Sequence, residues 1–286
     1  MKALMLVSVG SFRTYQFWLL GIATGLIAIH LTLMSRANDA SLLGNSVLFW
    51  AAVWSLLWPK RNILKLESGA FSSFVGTFLL ALVLLKSTFI SGYDVFLRIS
   101  PLISALGVAL LASGFKGLKQ YWRELLILCF LAPSPGAMAL LIDISKLTAK
   151  FATVILWYLG FNVSNQGVYV NLPTGSVEVY PGCSGIESIL YMVGLAVVFL
   201  LMFDSRWHYK IIVPVVAIFI AFVVNGFRVA LMAVLVANST KEALEYWHKG
   251  DGSMLFSMVS VLILGLFCLF ILPSETLEND DASVDL

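Results

Sequence analysis

Residues 211–237 read IIVPVVAIFIAFVVNGFRVALMAVLVA, a run in which Arg228 is the one ionisable side chain. A helix needs roughly 20 apolar residues to cross a hydrocarbon core about 30 Å thick, so this stretch can span a bilayer by itself. Working outward, apolar sections of about 17–25 residues recur with short polar interruptions. They cover 15–34, 42–58, 69–90, 99–115, 122–141 and 184–203, then 211–237 itself, then 253–272. The pattern predicts an all-α polytopic membrane protein with about eight transmembrane helices in a single transmembrane domain, residues 1–286. Pro133, Pro135 and Gly136 interrupt the fifth section, which is kinked, re-entrant, or carried on into the amphipathic stretch 143–159.

Composition supports this reading. Hydrophobic residues make up 60% of the 286 and Asp, Glu, Lys and Arg only 12%, against roughly 25% charged in an ordinary soluble domain. That much apolar surface cannot be hidden in one core of this length, and the lipid bilayer is the partner that accepts it. The formal net charge of +2 comes from scattered basic residues, which excludes a nucleic-acid partner. Cys129, Cys183 and Cys268 have neither metal-ligand nor disulfide-framework spacing, so no metal, cofactor or structural disulfide is expected. The first apolar section is longer than a signal-peptide core and lacks a small-x-small cleavage site, so it reads as a retained span.

Lys and Arg near the span ends set orientation. Lys2, Arg13, Lys60, Arg61, Lys65, Lys116, Lys119, Arg123, Arg206 and Lys210 fall on one side, which is read as cytoplasmic. The other side holds Arg36, Lys86, Arg98, Lys146, Lys150, Lys241 and Lys249, so the bias is moderate. Both termini then lie inside, and the acidic cytoplasmic tail 274–286 is expected to be disordered. Residues 161–182 break the helical pattern. Gly167–Leu172 and Ser176–Tyr180 alternate around Pro173-Thr174-Gly175, which predicts a small outer-face β-hairpin.

Ionisable groups inside apolar spans are costly and mark function or buried pairing. Cys183 follows Pro181-Gly182 at a predicted helix start, where unpaired N–H groups and the helix dipole favour a thiolate; a small buried residue is the bland alternative. Arg228 sits roughly 26 Å along its span at 1.5 Å per residue, which brings it to the outer interface beside Cys183. A structural arginine or one snorkelling to headgroups is the other reading. Asn225, three residues earlier on the same face, can hold the guanidinium. His248, with Gly250 and Gly252 behind it, opens the last span on the same side. A thiol, a permanent cation and an imidazole from three spans suit acyl transfer, with Cys183 attacking, His248 moving the proton and Arg228 neutralising the oxyanion. Glu187, one turn below Cys183, either positions Arg228 or His248 or neutralises Arg228.

Pro181-Gly182-Cys183-Ser184-Gly185-Ile186, Asn225-Gly226-Phe227-Arg228, and His248-Lys249-Gly250-Asp251-Gly252 before Phe256 resemble the Cys, Asn-x-x-Arg and His-x-x-x-Gly signatures of the exosortase/archaeosortase family. The motif-bearing resemblance covers about residues 175–260. It implies a membrane-embedded cysteine transpeptidase of the inner (plasma) membrane with its site facing the extracytoplasmic side. Such an enzyme cuts a C-terminal sorting signal of exported proteins, a short motif such as Pro-Glu-Pro followed by a transmembrane helix and a basic tail. The cut protein is passed to an outer-surface acceptor nucleophile. Cys183, Arg228 and His248 would be catalytic by this resemblance, with Ser184, Asn225, Glu187 and Gly252 supporting. Gly182 stands where the commoner bacterial branch has Ala, and Glu187 where it has a basic residue. These departures leave the subfamily open, a cyanobacterial-type branch included.

Other classes make different demands. A transporter or channel predicts polar groups near the midplane and broken helices in matched halves, which the sequence lacks apart from the prolines of the fifth span. A thiol-redox enzyme requires a second cysteine near Cys183. A non-catalytic polysaccharide-export or assembly factor is distinguished only by loss-of-function data.

Overall fold

The computed structural model describes residues 15–37, 39–203, 206–248 and 250–284. Lys2, Arg13 and Lys249 of the charge count, and the last two residues of the acidic tail, lie outside them. Along the chain run α1 (Tyr15–Arg36), α2 (Ala40–Lys60), α3 (Ala70–Thr88), α4 (Phe96–Gly117), α5 (Trp122–Cys129), α6 (Pro135–Ala139) and α7 (Ser145–Tyr158). Strands β1 (Ser164–Gln166), β2 (Tyr169–Leu172) and β3 (Gly175–Glu178) come next. The chain then forms α8 (Ile186–Met202), α9 (Tyr209–Asn238), α10 (Lys241–His248) and α11 (Asp251–Val284).

Among the described residues six helical runs are long and apolar enough to cross a membrane, and Ile186–Met202 is a shorter apolar helix. The chain is therefore a multi-pass, all-α membrane protein carrying one small sheet. The fifth section of the sequence reading does not form a continuous span. A 3₁₀ turn, Leu118–Tyr121, joins α4 to α5, and the run Phe96–Cys129 ends before the prolines. With its eight residues α5 alone covers only about 12 Å, and Pro133 and Pro135 cannot donate the backbone bonds that would extend it. Beyond the prolines the chain forms the short α6 and then the amphipathic α7. At the other end, α11 carries the helix through the acidic stretch to Val284, where the sequence reading expected disorder.

The described residues fall into two compact units, one within Met1–Asn38 and Ser46–Ala132, the other within Asp39–Asn45 and Pro133–Leu286. In the first, Leu26, Leu80 and Val83 form a core under α1 and α3, and Leu19, Ala109, Ala112 and Tyr121 form another. Several of its buried polar groups pair with one another, as an oily exterior favours. The Trp50 indole donates to His30 Nδ1 at 3.2 Å, and His30 Nε2 lies 3.1 Å from the Leu97 carbonyl. Lys60 meets the buried Glu124 carboxylate at 2.7 Å. The outside of this unit is apolar: on α3, Phe71, Phe74, Phe78 and Leu85 are 59–72% exposed along one helical stripe, a surface that only lipid makes favourable.

The second unit packs α8 and α11 on α9 around Met192, Ala196, Val213, Ala217, Ala221 and Leu264. A separate core joins α7, the sheet and the later half of α9 through Ala149, Ala152, Val170, Val179, Val229 and Ala233. The sheet is antiparallel in the order β1-β2-β3. The expected hairpin thus gains a third strand, because Gly167 at φ 64° turns the chain between Ser164–Gln166 and Tyr169–Leu172. Val170 and Val179 are wholly buried on its inner face, so this small sheet is anchored to α7 and α9.

Candidate active site

The chain leaves β3 through Tyr180 and makes a 3₁₀ turn, Pro181–Cys183, with proline at its first position. The Cys183 N–H donates to the Tyr180 carbonyl at 2.8 Å, and the Ser184 hydroxyl to the Pro181 carbonyl at 2.8 Å. Gly185 then adopts φ 92° before α8 begins at Ile186. The left-handed residue separates Cys183 from the helix, so the thiol does not sit on the first turn of α8 as the sequence reading had it. The macrodipole acts mainly within the first turn, so it bears less on this sulfur than a place on α8 would allow.

An imidazole lies beside the sulfur instead. His248 closes α10, a helix occupying what the sequence reading treats as a loop, and its Nε2 lies 3.3 Å from Cys183 Sγ. The Tyr180 hydroxyl lies 3.4 Å from the same nitrogen. Burial, and then the neighbouring Cys183 sulfur, push the Tyr180 phenol up to about 12, so it stays protonated wherever a thiol and an imidazole exchange a proton. Arg228 Nη2 donates to the His248 carbonyl at 2.8 Å, tying the residue that carries the imidazole to α9. Its Nε is buried and, among the described residues, has no acceptor.

The turn bearing the sulfur is held from two sides. Thr148 Oγ1, fully buried on α7, donates to the Ser184 carbonyl at 2.7 Å. Asn225 Nδ2, 3% exposed on α9, donates to the Cys183 carbonyl at 3.1 Å. Asn225 therefore fixes the backbone of the cysteine, not the guanidinium of Arg228. A β-carbon at Gly185 would lie 2.6 Å from that same amide nitrogen, so glycine is required both by φ and by the approach of Asn225. Gly252, beyond His248, packs under the Tyr246 and Trp247 rings, where a β-carbon would come within 2.9 Å of both.

Cys183, Arg228 and His248, brought from three segments, line one cavity of about 210 Å³ together with Tyr180 and Glu178. Glu187 does not line it; its Oε1 accepts from Tyr191 at 2.9 Å. Sequence reasoning misses Tyr180 and Thr148. The first stands three residues before the cysteine and reads as the end of a strand; the second is an ordinary helical threonine whose role depends on a contact 36 residues away.

A nucleophile in hydrogen-bond reach of a base, beside a guanidinium, is an arrangement suited to covalent acyl transfer. A family model described as transmembrane exosortase matches residues 38–265, a stretch that contains every residue of this site. No curated protein and no solved structure matches the chain.

Proposed function

Because this chain belongs to the transmembrane exosortase family, whose role is of the membrane transpeptidase type, we propose that it is a cysteine transpeptidase cleaving a C-terminal sorting signal of exported proteins. The observation that carries the reading is the 3.3 Å approach of Cys183 Sγ to His248 Nε2 in a cavity that Arg228 shares.

In the first half-reaction the Sγ–H proton passes to His248 Nε2 and the thiolate adds to the scissile carbonyl carbon. The resulting oxyanion is met by the Arg228 guanidinium, a donor of a kind worth about 3–4 kcal/mol of barrier. The tetrahedral intermediate then collapses. The C–N bond breaks, His248 returns its proton to the leaving amine, and a thioester to Cys183 remains. An acceptor nucleophile at the outer surface attacks that thioester, giving its own proton to His248, and the thiol is restored. The substrate is a protein ending in a short motif such as Pro-Glu-Pro, a transmembrane helix and a basic tail, presented on the extracytoplasmic side of the inner membrane. The Lys and Arg distribution along the chain supports that orientation.

The test is co-expression with a reporter protein ending in such a signal. The parent chain shortens the reporter, and Cys183→Ala and His248→Ala leave it uncut. A reporter still processed by Cys183→Ala removes the thiol mechanism. A phenotype unchanged by Cys183→Ser favours a transporter or an assembly factor instead.

A further inference from the structure

The cavity at Cys183 is one end of a groove whose wall is a sheet edge. Val179 N donates to Val168 O at 2.9 Å, and the register Tyr169↔Glu178 makes these two residues direct partners. In an antiparallel pair, opposed residues alternate between exchanging both backbone bonds and exchanging none. Val177 and Gly175 are therefore bonded to β2, whereas the N–H and C=O groups of Ser176 and Glu178 point away from it. Among the described residues, none of these four peptide groups has a hydrogen-bond partner. Both residues are exposed, and both line the cavity.

The opposite wall is α10, through Leu244 and His248, and the floor is α9, through Met232 and Val236. The two long elements run the same length in opposite senses. The Gly175 end of β3 lies against Val236 and Ala237, and its other end leads to Tyr180 and Cys183. From Arg228 to Val236 is about 12 Å along a helix, and from Gly175 to Val179 about 13 Å along a strand. At roughly 3.3 Å per residue, the groove accommodates an extended segment of about four residues.

We infer that the outer edge of β3 is the docking strand for the substrate: an extended polypeptide segment pairs with the backbone of Ser176 and Glu178, adds a fourth strand to the sheet, and is thereby aimed at Cys183. The occupant is a peptide in strand conformation because the edge offers donors and acceptors two residues apart, a repeat that an extended main chain matches and a helix does not. Continuity with the reactive cavity places one end of the added strand at the sulfur. There the unpaired Nε of Arg228 adds positive charge to receive a carbonyl oxygen. Alternate side chains of the guest face the apolar floor formed by Met232 and Val236, so the pairing also confers a period-two preference for apolar residues. This inference rests on the peptidase reading, and its test separates the two.

The probe is a reporter ending in a Pro-Glu-Pro motif, an apolar span and a basic tail, with single cysteines moved one position at a time through the motif region. Ser176→Cys is introduced together with Cys129→Ala and Cys183→Ala, so that the reporter is held uncut. Oxidative crosslinks are expected at every second reporter position. Crosslinks at every third or fourth position, or none while the parent chain still cuts the reporter, overturn the strand pairing and leave the peptidase reading standing. Glu178→Pro deletes an outward N–H without touching a bond to β2, and processing is expected to fall at least tenfold. Asn165→Pro removes an outward N–H on the far edge of the sheet together with the side-chain bonds to the Gly167 and Tyr169 carbonyls, a larger local loss, and processing should still stay within threefold of the parent. Equal processing by Glu178→Pro and the parent overturns the pairing, whereas a reporter that the parent never cuts overturns both. The crosslinking arm keeps every backbone bond, so the outcome does not depend on the proline variant folding.

Discussion

The side-chain amide of Asn225 donates to the carbonyl of Cys183 at 3.1 Å, so the helical turn that carries Arg228 also holds the backbone of the cysteine. Losing that donor removes a hydrogen bond from the part-buried turn, at a cost of about 0.5–1.5 kcal/mol. Asn225→Ala is expected to slow reporter processing roughly two- to tenfold, about 1.4 kcal/mol corresponding to a factor of 10, with the protein still present in the membrane. Asn225→Asp turns a donor into an acceptor facing a carbonyl and should be worse than Ala. Processing rates in membranes normalised to protein level decide this, and an Asp variant as active as the parent would show that the contact does not position the turn.

Gly185 tests the same contact from its other side. Its φ of 92° costs a non-glycine residue about 1–2 kcal/mol, and a methyl there would also strike Asn225. Gly160 has a φ of 87° but open space around it, so Gly160→Ala carries the backbone strain without the clash. Gly185→Ala is expected to abolish processing, and Gly160→Ala to keep it within a few-fold at a slightly lowered Tm. Equal effects from the two variants would assign everything to backbone strain.

Tyr180 lies close enough to His248 Nε2 to share the thiol's partner, and burial with the adjacent sulfur keeps its phenol protonated to about pH 12. It can then donate to a thiolate but cannot serve as a base below that pH. Tyr180→Phe removes one hydrogen bond to a charged group, about 1.5 kcal/mol or roughly tenfold in rate. The sign is set by the upward shift. Between pH 6 and 10 the phenol does not titrate, so the pH–rate profile of the Phe variant should be lower than that of the parent but centred at the same pH. A limb of the profile that disappears in Tyr180→Phe would mean that the phenol itself loses the proton.

Much of the site is legible in the sequence because its members are chemically improbable where they stand. A guanidinium at residue 228 inside an apolar run, and a cysteine behind Pro181-Gly182, are visible without coordinates. Their meeting with His248 comes from counting residues along spans. The groups that hold them are harder to read. Thr148 and Ser184 are common residues whose value lies in one long-range backbone contact. Helical spacing pairs Asn225 with Arg228, whereas its amide reaches across to another element. The break between Cys183 and α8 depends on the φ of Gly185, which sequence cannot distinguish from a helical N-terminus. In the fold, apolar length alone could not place the end of the run Phe96–Cys129, since the stretch beyond it is nearly as apolar and only the missing N–H groups of Pro133 and Pro135 stop the helix.

Away from the site, Lys60 and Glu124 form the ion pair that joins the ends of α2 and α5, with Nζ 2.7 Å from Oε1 and the Glu124 side chain 4% exposed against 23% for Lys60. Lys60 also donates to the Gln120 carbonyl at 2.5 Å, so its ammonium serves both the carboxylate and the backbone of the 3₁₀ turn before α5. Removing one partner of a buried pair typically costs about 3–5 kcal/mol, because the remaining charge stays in a low-dielectric place; the partial exposure of Lys60 puts this pair toward the lower end. Lys60→Met should therefore lower the thermal stability of the detergent-solubilised protein clearly. Lys60→Met with Glu124→Leu, which leaves no lone charge, should recover most of the loss. Processing per folded molecule should stay unchanged in both, since neither residue belongs to the unit that holds Cys183. A double variant as unstable as the single one would mean that the pair itself, and not the stranded carboxylate, sustains this corner of the fold.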